Sequence, residues 1–96
     1  MFSVSTEAAH AVEKLLHNAG KNLVPLVTWE SDASFATGRW ILGFVDRDRA
    51  TRTAGVSWIT THGIEFAVDG PHHYLHLIEG ATLDYTESRF VFRAQA

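Results

Sequence analysis

Three histidines in one short stretch, His72, His73 and His76, are the residues whose spacing most resembles a metal site. On a helix, His72 and His76 fall at i and i+4 on one face, where two imidazoles can share a borderline metal ion. A third ligand would come from Glu79 on the next turn, from His62, or from a second copy of the chain. The same spacing also describes a short exposed helix that is merely rich in histidine, since two imidazoles without a placed third ligand and its supporting hydrogen bonds do not make a site.

A second candidate is aromatic. Trp29, Trp40 and Trp58, with Phe35 and Phe44, could line a pocket, and Phe35 with Trp40 could form a ligand or partner surface. The tryptophans lie in strand-like patterns, where large aromatics are also ordinary core residues. Phe35 differs in standing within a small, polar connection. Asp84 lies between Leu83 and Tyr85 with Thr82 and Thr86 nearby. No partner carboxylate or base is placed beside it, so a structural role accepting turn amides is expected. Arg47, Arg49 and Arg52 alternate with Asp46 and Asp48, which describes a solvated loop first and a docking patch second.

The composition narrows the chemistry. The 96 residues include no cysteine, so a thiolate nucleophile, a zinc ribbon, a disulfide and a thiolate-held iron–sulfur cluster are all excluded within this chain. Eleven acidic and eight basic residues give a net charge of −3, which argues against a protein made to grip nucleic acid or an anionic membrane. Nucleophile elbows, phosphate-cradling glycine loops and dinucleotide fingerprints are absent, so no catalytic residue is nominated and an enzyme is not expected. There is no basic and apolar leader, and no apolar run near 18 residues. A cytoplasmic protein is the expectation.

These residues need elements to position them. Ala8, Val12, Leu15, Leu16 and Ala19 recur at helical spacing, predicting a helix over Thr6–Ala19 capped by Ser5 or Thr6 and closed by Gly20. Phe2–Val4 suits a small edge strand. Beyond the helix the period falls to two. Leu23–Trp29 is β-rich, with Pro25 pointing to an edge or a strand start. In Arg39–Val45, Trp40, Leu42 and Phe44 share one face. The segment 46–55 looks like a charged loop with nothing to bury. Val56–Thr60 and Ile64–Val68 flank a tight turn at Thr61-His62-Gly63. Ile64, Phe66 and Val68 should face the core, with Glu65 and Ala67 facing away. A short helix over His72–Ile78 follows, closed by Gly80, and then the strands Ala81–Thr86 and Arg89–Arg93. The predicted fold is α+β and mostly β, a single domain over residues 1–96.

That order of elements resembles the HesB/IscA family, the A-type carriers of iron–sulfur cluster assembly. The likeness rests on Ser3–Ala9, on Trp40–Asp46, on His62-Gly63-Ile64-Glu65-Phe66-Ala67-Val68-Asp69, on Leu77–Tyr85 (an L-x-G-x-x-[IL]-D-[YF] turn), and on Arg89-Phe90-Val91-Phe92. It covers Phe2 to Arg93. The resemblance implies a HesB-like domain of two short mixed sheets or a flattened barrel, with one long N-terminal helix and one short helix. It also implies a ligand cysteine in the loop before the second long strand, and a Cys-x-Cys pair beyond the last one. Here that loop reads Ala33-Ser34-Phe35-Ala36-Thr37-Gly38, and the chain ends at Ala96 with neither cysteine of the pair. No family ligand can be carried over. The expectation is a cysteine-free relative that is tied to iron–sulfur assembly by descent, has no resident cofactor and assembles as a homo-oligomer. It would act as an adaptor for protein partners, iron–sulfur assembly factors among them. The alternatives are a metal binder using His72, His73 and His76, or a module outside the pathway that binds a small ligand or a protein.

Overall fold

The computed structural model describes residues 2–19, 22–31, 38–69 and 78–93. Within them the chain runs β1 (Ser3–Val4), α1 (Thr6–Ala19), β2 (Leu23–Ser31), β3 (Gly38–Asp46), α2 (Arg47–Arg52), β4 (Ser57–Thr61), β5 (Ile64–Asp69), β6 (Thr82–Thr86) and β7 (Arg89–Arg93). The strands form two open sheets rather than a barrel, one ordered β1-β6-β7 and the other β3-β2-β5-β4. Both are mixed. β1 runs parallel to β6 while β6 and β7 are antiparallel. In the larger sheet β2 is antiparallel to β3 and parallel to β5, which pairs antiparallel with β4.

The helix α1 has the predicted bounds. Ala8, Ala9 and Val12 are buried and Leu16 packs against the core, but Leu15 is 47% exposed. The buried stripe therefore runs through Ala8, Val12 and Leu16, with Leu15 outside it. Ser5 is the cap, its hydroxyl accepting the Ala8 N–H at 3.1 Å.

Alternation in the strands separates two apolar faces. Phe66 and Val68 of β5, Val27 of β2 and Trp40 of β3 meet Leu83 of β6, Phe2, Val4 and the buried stripe of α1, forming the main core between the sheets. Phe2 joins the layers by edge-on contacts with Phe66 and Phe92, at 5.7 and 5.6 Å between ring centres. The opposite face of the larger sheet presents Val24 and Ala67, which are covered by Ala50 of α2.

Several local expectations change. The segment expected to be a charged loop contains α2, and Ala50 within it is only 2% exposed. Its first N–H, from Arg47, donates to the Asn22 carbonyl at 2.9 Å, while the Thr51 and Thr53 hydroxyls donate to the carbonyls of Arg47 and Arg49. Ala67 does lie on the face opposite Phe66, yet it is fully buried, because α2 shields that face. Pro25 sits in a strand that has neighbours on both sides. It is tolerated because pairing with β5 begins only at Leu26, so Pro25 interrupts no ladder on that side. The β4–β5 turn is His62-Gly63, and both residues have positive φ, 54° and 73°. The helix expected over His72–Ile78 lies outside the described residues except for Ile78, which is buried in a turn closed by Gly80 at φ 75°.

Candidate functional site

Of the residues singled out in the sequence, His72, His73, His76 and Phe35 lie outside the described residues. Among the described residues, no group of three or more histidine, aspartate or glutamate side chains could hold a metal ion. His62, offered above as a third ligand, is engaged elsewhere: its Nε2 lies 2.8 Å from the Val4 carbonyl, which requires Nε2 to carry the proton and donate it. That bond ties the β4–β5 turn to β1.

The aromatic candidates do come together in part. Trp29 and Trp40 are directly opposite each other in the β2–β3 register, and their rings meet edge-on at 5.6 Å and 73°. Gly38 makes this arrangement possible. A Cβ there would stand 2.8 Å from two carbons of the Trp29 ring and 2.5 Å from the Glu30 carbonyl oxygen, so only glycine lets the indole lie against the backbone. Together with Ile78, Ala81 and Phe92 these residues line a cavity of about 210 Å³ between the two sheets. Arg39 at its rim is ion-paired with Glu30 at 3.3 Å, with both side chains well exposed. Trp40 is 7% exposed, and its Nε1 is buried without a hydrogen-bond acceptor.

Trp58 and Phe44 do not join this cavity. Trp58 lies on β4, at the opposite edge of the larger sheet from β3, and packs under the Arg47 guanidinium at 5.8 Å. Arg47 also pairs with Glu65 at 3.1 Å. Phe44 packs with Phe90, which in turn meets Tyr85. Phe92 is the aromatic wall residue that the sequence reading left out. Its signal was the alternation of Arg89–Arg93, which sets Phe90 and Phe92 on one face.

Asp84 is fully engaged. Its Oδ1 accepts the Ser5 hydroxyl at 2.8 Å and the Tyr85 N–H at 2.9 Å, and its Oδ2 accepts Arg93 Nε at 3.2 Å. The Ser5 hydroxyl first, then the Tyr85 amide and Arg93, hold its carboxyl below the usual aspartate range. A carboxylate so held is a structural acceptor rather than a proton donor at neutral pH. It serves one turn amide, as expected, and also reaches a side chain at the far end of the chain.

No family model matches the sequence, and no curated protein is recognisably similar to it. Solved structures are similar in shape. A crystal structure of IscA with a [2Fe-2S] cluster matches with a TM-score of 0.70 over 98% of this chain and 85% of its own, at 16% identity. The solution structure of a protein from Aquifex aeolicus matches with a TM-score of 0.63 over 99% of this chain and 90% of its own, at 18% identity. The chain has an IscA/HesB-like fold, built without a single cysteine.

Proposed function

We propose that this protein is a non-catalytic IscA-like scaffold, related to iron–sulfur cluster biosynthesis by descent, that acts as an adaptor by binding protein partners. One observation carries the reading: nearly the whole chain superposes on IscA, while cysteine is absent from the sequence. The similar IscA structure contains a [2Fe-2S] cluster. Soft thiolates are the usual protein ligands of such clusters, and this chain has none to offer. The donor set does not fit a thiolate-held cluster, so the preserved scaffold is left with surface recognition as its inherited role. The reading includes a homo-oligomer in the cytoplasm, with iron–sulfur assembly factors or their clients as partners. Exposed Leu15 and Trp58 are apolar groups that an interface would cover.

The test is elemental analysis with an optical spectrum, on protein purified anaerobically and again after incubation with iron and sulfide. The expected result is neither stoichiometric iron nor sulfide-to-iron charge-transfer bands. Stoichiometric iron with sulfide would overturn the reading and restore a carrier. Metal without sulfide would favour His72, His73 and His76 instead, and replacing His72 and His76 with alanine would then abolish the uptake. Affinity capture should recover an iron–sulfur assembly factor or client, and failure to recover either would remove the adaptor role.

A further inference from the structure

A strand that ends a sheet is usually blunted by proline, by charge, by a bulge or by a covering element. Along its middle β3 carries none of the first three. Its nine residues pair with β2 in an unbroken register, and between Arg39 and Asp46 it reads Trp-Ile-Leu-Gly-Phe-Val. Among the described residues β3 ends the larger sheet on one side, and β7 ends the smaller one. The two strands border a groove of about 640 Å³, lined by Arg39–Leu42 and Ser88–Phe92. Phe44 packs on Phe90, while Arg39, Trp40 and Phe92 line one cavity, so the strands pass each other antiparallel. That order sets Arg39 at one end of the groove and Arg89 at the other. We propose that an extended acidic segment of a partner protein adds to the outer edge of β3 in this groove, its backbone pairing with β3 and its carboxylates meeting Arg39 and Arg89.

The backbone and the charge each restrict the occupant. The alternating N–H and C=O groups of a strand edge are met in register only by another extended backbone. The described lining holds two arginines and no acid, in a chain whose net charge is −3. Arg39 is paired with Glu30 at 3.3 Å, but both side chains are well exposed, and such pairs are weak enough for a second carboxylate to compete. Arg89 is exposed and has no carboxylate partner among the described residues. Phe90 lies at the level of Phe44, and Arg89 just beyond it. At about 3.4 Å per residue the two arginines therefore stand roughly 17–20 Å apart along the strands. Acids about six residues apart on an extended segment match that span. The inference rests on the reading of this chain as a scaffold for protein partners and names the chemistry of the partner.

The test is a titration of a fluorescein-labelled, capped peptide, Glu-Val-Thr-Val-Thr-Val-Glu, with the unaltered protein, followed by anisotropy. A saturable rise is expected, weakening as salt is raised. The same peptide with lysine at both ends should bind about tenfold more weakly. Replacing Arg39 and Arg89 together with glutamate, at positions that are both exposed, should reverse that preference. Amide hydrogen exchange on the unaltered protein should show new protection in β3 and none in β4, the opposite end of the sheet. Absence of saturable binding up to about 1 mM would overturn the proposal, as would equal affinity for the two peptides or protection at β4 instead. Protection of β3 that rises with protein concentration without peptide would also overturn it, since a second copy would then fill the edge. The adaptor reading is tested apart from the groove. An assembly factor captured equally by the parent and by the doubly substituted protein would remove the groove and keep the adaptor. Peptide binding with no captured factor would do the reverse.

Discussion

The hydroxyl of Ser5 donates a 2.8 Å hydrogen bond to Oδ1 of Asp84, 79 residues further along the chain, while its oxygen accepts the Ala8 N–H of the first turn of α1. One side chain thus caps the helix and fastens it to β6. Beside it, the Ser5 N–H donates to the Leu83 carbonyl at 2.9 Å, continuing the pairing of β1 with β6.

Ser5→Ala removes the cap and one of the three donors to Asp84. The expected destabilisation is about 1–2 kcal/mol, at the upper part of the range for losing a serine cap. In a domain of this size that lowers the melting temperature by roughly 4–8 °C per kcal/mol. Ser5→Asp would retain the cap but set two carboxylates against each other, and should be no better than alanine. Thermal and urea unfolding of the three proteins checks both statements.

Asp84 links stability to pH with a definite sign. Its folded-state carboxyl is held below the unfolded value of 3.8, so its contribution is complete above that value and is lost as the pH falls through the lower folded value. Asp84→Asn should lower stability at neutral pH, because Arg93 and Ser5 lose their charged acceptor. It should also flatten the acid limb of the stability profile below about pH 4. Urea midpoints measured between pH 2 and pH 7 would show it, and an unchanged acid limb would mean that Asp84 is not the linked group.

The turn between β6 and β7 is Glu87-Ser88, and both residues have positive φ, 52° and 65°. A two-residue hairpin loop with positive φ at both positions favours Asn-Gly, and other residues there carry backbone strain. Replacing Glu87-Ser88 with Asn-Gly should stabilise the fold by about 1 kcal/mol. A lower urea midpoint in the variant would show instead that Glu87 or Ser88 makes a stabilising contribution that outweighs the strain.

Ala50 and Ala67 meet with Val24 in a small satellite core beneath α2. Ala50→Leu should destabilise by about 1–3 kcal/mol through overpacking. Ala54→Leu, at an exposed position just after the helix, should stay within about 0.5 kcal/mol of the parent. Equal effects of the two would mean that α2 does not hold its place on the sheet.

The large elements were legible because their periods are long and clean. Helix α1 shows three turns of stripe, and large apolar residues recur at every second position as Trp40, Leu42 and Phe44 in β3 and as Ile64, Phe66 and Val68 in β5. What the sequence concealed was short or relational. Six residues of α2 present a single buried position, Ala50, too few for any period to emerge from the arginines and aspartates around it. Ala67 looked outward because alternation reports which face a residue occupies and says nothing of what covers that face. Leu15 looked inward because the stripe was drawn one residue too wide. The Trp29–Trp40 pairing depends on register, and the approach of Phe92 depends on how two sheets stack. Neither is written in a local pattern. Asp84 was recognised as a structural acceptor, but Ser5 could not be named as its partner, since nothing local joins residues so far apart in sequence.

The parallel pairing of Ser3–Val4 with Thr82–Leu83 spans the longest sequence separation of any strand pairing among the described residues. β1 cannot find its neighbour until the chain as far as Leu83 is available to it. Closing so long a loop is slow compared with forming the β4–β5 hairpin, whose partners are separated by two residues. During that interval Phe2 and Val4 remain uncovered and α1 lacks its anchor on β6. An unpaired β1 is therefore the apolar segment that a holding chaperone or a second copy would be best placed to seize before folding is complete.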